Sequence, residues 1–135
     1  MSNTSSNTHF FILALIVLFS GSCASQKKIS KKADITFANG EYFKAVTMYE
    51  ELADNEESRY IKSSYEARIA ECYRYLNDSK KAEVAYKKLA NQKTIRDKET
   101  RYWYAYYLLK NEKYEEAEKN FKLYKKSQPK DERAA

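Results

Sequence analysis

The feature that most limits how this chain can fold is a repeat. Asn39-Gly40-Glu41-Tyr42-Phe43-Lys44-Ala45 leads to Tyr49, Asn77-Asp78-Ser79-Lys80-Lys81-Ala82 leads to Tyr86, and Glu112-Lys113-Tyr114-Glu115-Glu116-Ala117 leads to Phe121. Ala45, Ala82 and Ala117 are 37 and 35 residues apart, and Tyr49, Tyr86 and Phe121 keep the same intervals. Within the first copy Tyr42, Ala45, Val46 and Tyr49 fall on one helical face. A unit of this length that recurs at a fixed interval is one supersecondary element, stacked on its neighbours to bury a face it cannot bury alone.

Composition points the same way. Two glycines and one proline are too few for a turn-rich β fold, so the chain is expected to be all-α. The 25 basic and 19 acidic residues give a formal charge of +6, with both signs mixed along every segment after residue 26. That is the pattern of solvated helices and not of a nucleic-acid stripe.

The periodicity predicts six helices in three hairpins: Ile29–Ala38, Tyr42–Ala53, Arg59–Leu76, Ser79–Ala90, Lys98–Lys110 and Tyr114–Lys126. The expected inward stripes are Ala33 and Phe37; Tyr42, Ala45, Val46, Tyr49 and Leu52; Tyr65, Ile69, Cys72, Tyr73 and Leu76; and Ala82, Ala85, Tyr86 and Leu89. The fifth helix is apolar nearly all round, so more than one of its faces should be covered. Ala117, Phe121 and Tyr124 form the sixth stripe. Thr94 with Asp97 resembles a capping box before the fifth helix.

Residues 1–22 read as an export signal. Phe10 to Phe19 is an apolar run of ten, too short to span a bilayer and of the length of a signal-peptide core. Ser20-Gly21-Ser22-Cys23 follows and resembles a bacterial lipobox, with Ser20 where leucine is usual and no Lys or Arg between Met1 and His9. The resemblance implies lipidation of Cys23, with cleavage near Ala24 or an uncleaved anchor as alternatives. Acyl chains on Cys23 would supply the membrane affinity. Residues 23–28 would then be a short basic tether, with the repeat domain at 29–128 and a polar tail at 129–135.

The repeat units resemble the tetratricopeptide repeat (TPR). Ala33, Ala70 and Ala105 match its small residue where the first helix of each hairpin meets the second. Ala45, Ala82 and Ala117 match the small residue early in the second helix, and Tyr49, Tyr86 and Phe121 match the aromatic that follows. Tyr42 and Tyr114 match the preceding aromatic, while Ser79 departs from it, and the closing proline occurs only as Pro129. The loop before Arg59 and the missing tryptophan signature also depart. With the lipobox-like cysteine, the wording is similar to the N-terminal region of PorE-like, OmpA-family outer-membrane lipoproteins of the Bacteroidota. That likeness implies the periplasmic face of the outer membrane, because Ala24-Ser25-Gln26-Lys27-Lys28, just after Cys23, contains no acidic residue. It also implies partners among envelope proteins, including secretion, gliding or OmpA-like components. Its peptidoglycan-binding domain has no counterpart in these residues.

No enzyme is expected. The only histidine, His9, lies in the signal segment, and Cys72 has no base near it in sequence, so no catalytic residue, metal site or cofactor is assigned. By the TPR resemblance, the first helices of the hairpins line a partner groove through Phe37, Glu71, Arg74, Tyr75, Tyr102, Tyr106 and Lys110. The plainer alternative is that these tyrosines are core or wet surface. The carboxylate clamp of chaperone-binding members is absent: its positions hold Ser30, Asp34, Arg68, Glu99 and Trp103. A rival expectation is self-association through residues 114–126. That helix is followed by few residues to cover it, unless the chain is a piece of a longer one.

Overall fold

The computed structural model describes residues 25–92 and 98–134. Among them the fold is all-α, a row of helical hairpins in which each helix packs against the next. The first helix, α1, covers residues 25–38 of the described chain. It is followed by α2 (Tyr42–Asp54), α3 (Arg59–Tyr75), α4 (Ser79–Ala90), α5 (Lys98–Lys110) and α6 (Tyr114–Ser127). A single 3₁₀ turn, Glu132–Ala134, closes the row. The Thr94–Asp97 capping box lies outside the described residues, as do Cys23 and the apolar run before it.

The hairpin turns explain why the repeat begins where it does. Gly40, Asn77 and Glu112 have left-handed φ values of 79°, 56° and 62°. Each follows a helix end and is itself followed by a crossed pair of backbone bonds. The amides of Gly40 and Glu41 donate to the carbonyls of Phe37 (2.9 Å) and Thr36 (3.1 Å). Asn77 and Asp78 donate to Arg74 and Tyr73, and Glu112 and Lys113 donate to Leu109 and Leu108. These are three copies of one C-terminal cap, which satisfies carbonyls the helix leaves open and reverses the chain within three residues. Asp78 also caps α4, accepting from the Lys81 amide at 3.0 Å.

All six motif alanines are buried: Ala33, Ala45, Ala70, Ala82, Ala105 and Ala117. Without bulk beyond Cβ they let paired helices approach closely, and the large side chains fill the spaces between. One apolar cluster joins α1, α2 and α3 through Ala33, Val46, Tyr49, Leu52 and Cys72. A second joins α3 to α6 through Ala70, Tyr86, Leu89, Tyr107, Leu108 and Ala117. Tyr73 packs against both and makes the core continuous.

Three expectations need correction. First, the chain is already helical at residue 25, so the described part of the expected tether is helical. Lys27 and Lys28 favour helix, and the Gln26 amide donates to the Asn55 carbonyl at 3.0 Å, tying this turn to the end of α2. Second, Leu76 is exposed, because it is the cap residue after α3 and lies past the stripe. Third, residues 130–134 of the expected polar tail pack back on the helices. Tyr124 donates its hydroxyl to Asp131, and Arg133 bonds both oxygens of Glu99 at 2.7 and 2.8 Å. The guanidinium of Arg133 lies 4.7 Å from the Tyr102 ring. The segment folds back over the last hairpin and covers part of it with charge.

Candidate functional site

The odd-numbered helices, with Tyr42 of α2 and Arg133 of the closing 3₁₀ turn, carry a continuous ladder of rings and guanidinium groups. It begins where α1 turns into α2. Tyr42 stacks on Tyr75 with centroids 4.7 Å apart and planes within 10°, and Phe37 sits edge-on to both. Arg68 of α3 lies 5.2 Å from the Phe37 ring and pairs with Glu71 at 2.8 Å. Further along α3, Arg74 lies 4.3 Å from the ring of Tyr75 and 4.7 Å from that of Trp103 on α5. Trp103 meets Tyr102 and Tyr106 edge-on, and Tyr102 carries Arg133 on its face.

Helical spacing produces the ladder. Tyr102 and Tyr106 are four apart on α5, and Glu71 and Arg68 are three apart on α3, so each pair shares a face. Trp103 sits between the α5 pair and reaches across to α3. Edge-on and offset ring contacts of this kind add about 0.5–1.5 kcal/mol each beyond the area they bury.

Arg74 is the unusual member. Its Nε is buried and has no hydrogen-bond partner. Burial works against its charge, while the phenol oxygens of Tyr75 and Tyr86 support it, and the pKa ends above the ordinary guanidinium value. Among the described residues it forms no ion pair. Nearby Glu71 is engaged by Arg68.

Six of the seven expected groove residues, Phe37, Glu71, Arg74, Tyr75, Tyr102 and Tyr106, belong to the ladder or touch it. Lys110 does not. It lies at the end of α5 and lines a separate cleft of about 530 Å³ with Lys80, Val84 and Glu112. Tyr102 is turned partly toward α6, against Phe121 and Tyr124. Sequence reading missed Tyr42 as a ladder residue, because it fits the α2 stripe equally well. It missed Trp103 and Arg133, whose partners lie about thirty residues away along the chain. The signal for Trp103 was available: it is the single tryptophan, on a helix with too many aromatics for one face.

A second cleft, of about 570 Å³, opens between α2, α3 and α4. Its floor is Ala53, Ile69, Val84 and Ala85, with acids Glu50, Asp54 and Glu66 and lysines Lys80, Lys81 and Lys88 at the rim. The rim is mostly paired within itself: Lys88 meets Glu66 at 2.8 Å, and Tyr73 donates to Glu50 at 3.2 Å. Cys72 is fully buried, and burial pushes its thiol up to about 12, away from nucleophilic chemistry. The described residues contain no cluster of His, Cys, Asp and Glu suited to a metal ion, and no described helix is long and apolar enough to cross a membrane.

Comparison with protein-family models, curated proteins and solved structures finds no match to this chain.

Proposed function

We propose that this chain is a lipid-anchored tetratricopeptide-repeat scaffold that holds other proteins of a bacterial envelope together. Its working surface is the face of α1, α3 and α5 that carries the ladder. The ladder is the observation that carries the reading. Tyr75 is 49% exposed although it stacks on Tyr42, and Arg74 holds a charge among rings and forms no ion pair among the described residues. Tyrosine, tryptophan and arginine set on rigid helices are the side chains that dominate protein interfaces. The three repeated caps and six buried alanines support the TPR assignment. The lipobox-like Ser20-Gly21-Ser22-Cys23 supports anchoring at the periplasmic face of the outer membrane. The protein is then a binding module and not an enzyme, with secretion or gliding machinery as its setting.

The test is cross-linking of the tagged protein in intact cells, followed by identification of what co-purifies from the outer-membrane fraction. Cys23→Ser is expected to release the protein from that fraction. A double variant, Arg74→Ala with Tyr106→Ala, is expected to lose the partner while keeping its helical circular dichroism. Unchanged partner recovery by the double variant counts against this face. A second reading, self-association through α6, draws on the exposure of Tyr114 and Leu123. It requires a molar mass that rises with concentration.

A further inference from the structure

Resting on that reading of the ladder face, we propose that Arg74 is its anchoring residue and receives a carboxylate from an acidic, extended segment of the partner protein. Three observations carry this. Arg68 and Arg133 each have an acid of this chain, Glu71 in one case and Glu99 with Asp131 in the other, whereas Arg74 has none among the described residues. Its guanidinium is flanked by the rings of Tyr75 and Trp103, which hold it in place. Its Nε is sealed and unbonded with the phenol oxygens of Tyr75 and Tyr86 beside the group, while the residue as a whole is only half-buried.

Charge complementarity selects the occupant. A cation partly removed from water and held beside ring faces gains more from an incoming anion than an exposed lysine does, because the local dielectric is lower. A guanidinium fork matches a planar carboxylate in two parallel hydrogen bonds. The neighbouring rings of Tyr42 and Tyr75 offer apolar contact to the side chains on either side of the acid. The recognised segment is therefore one in which acidic and aliphatic residues alternate.

Trp103, the only tryptophan, stands against Arg74 and reports binding by its own fluorescence. The full chain is titrated with a short blocked peptide of alternating glutamate and leucine, and with its glutamine-for-glutamate twin. The glutamate peptide is expected to change Trp103 emission saturably and to bind at least about tenfold more tightly than the twin. Arg74→Met should erase that preference. Arg74→Lys, which keeps the charge but loses the fork, should keep part of it, and thermal melts should show both variants folded. Equal binding of the two peptides, no binding of either, or a preference that survives in Arg74→Met overturns the proposal. So does Arg74-dependent binding to phosphatidylglycerol vesicles with the peptides silent. The two readings fail separately. A partner recovered from cells with no glutamate preference sinks the carboxylate anchor alone. A clear preference with no recovered partner sinks the envelope setting alone.

Discussion

Replacing Glu83 is expected to unlatch the second hairpin from the third. Glu83 is a carboxylate on α4 that is only 6% exposed. Lys113 donates to one of its oxygens at 2.6 Å and Asn111 to the other at 2.8 Å, both from the turn between α5 and α6. Asn111 also donates to the Ser79 carbonyl at 3.0 Å, so the same turn grips α4 twice. Hydrogen bonds to a charged group contribute about 1.5–3 kcal/mol each, and removing one member of a buried pair costs about 3–5 kcal/mol when the other charge is stranded. Here Lys113 is 48% exposed and can return to water. The low end therefore applies, and Glu83→Ala should cost about 2–3 kcal/mol, or roughly 10–20 °C in melting temperature for a domain of this size. Glu83→Gln keeps the shape and one acceptor and should cost about 1–2 kcal/mol.

Acid supplies the discriminating measurement. Burial acts to raise the pKa of Glu83, but hydrogen bonds from Lys113 and Asn111 and the charges of Lys113 and Lys87 outweigh it and hold it below the ordinary value. A carboxylate with a depressed folded pKa contributes stability that is present above its unfolded pKa, about 4.3, and is lost as pH falls through the folded value. The stability gap between wild type and Glu83→Gln should therefore be constant from neutral pH down to about 5 and close below about 4. Urea titrations followed by circular dichroism across this range measure it. A cost under about 0.5 kcal/mol for Glu83→Ala, or a gap that stays constant to about pH 3, would refute the reasoning.

Two further outcomes are expected. Glu112 holds a left-handed φ of 62°, which costs a residue with a Cβ about 1–2 kcal/mol, while glycine loses about 0.5–1 kcal/mol to chain entropy. Glu112→Gly should therefore raise stability by up to about 1 kcal/mol in a urea melt, and a loss would show that the Glu112 side chain matters more than its backbone. In a Cys23→Ser background, Cys72 should resist a thiol reagent at pH 8 until the protein unfolds, because its thiol is sealed and titrates near 12. Labelling at the rate of a free thiol in the native state would contradict its place in the core.

What was legible in the sequence is what repeats. The alanines, the turns and the aromatic four residues beyond each second-helix alanine are local features imposed by one geometry three times, so periodicity alone locates them. The bounds of α4 and α5 come out as expected for the same reason. The ladder was half legible. The face of α3 and α5 could be named, and Arg74 and Tyr75 with it, but the stacking of Arg74 on Trp103 crosses from one hairpin to the next and belongs to no single helix. The clasp of Arg133 on Glu99 spans still more chain and leaves no trace in any local window.

Glu83 shows why such contacts escape a helix-by-helix reading and how register recovers them. It follows Ala82, as Val46 follows Ala45 and Glu118 follows Ala117. On its own helix Glu83 looks like one of many solvated charges. In register it occupies the position where the first repeat buries Val46. The structure places all three residues on equivalent turns, yet Val46 and Glu83 are buried while the Glu118 side chain is 66% exposed and pairs with Lys122 along its own helix. The position is covered by the hairpin that comes next. A charge there must find partners in that hairpin, as Glu83 does in Asn111 and Lys113, and the last repeat leaves it in water. Burial in a stacked array is thus set by a position's register together with its place in the row, and neither quantity is visible in the helix that carries the residue.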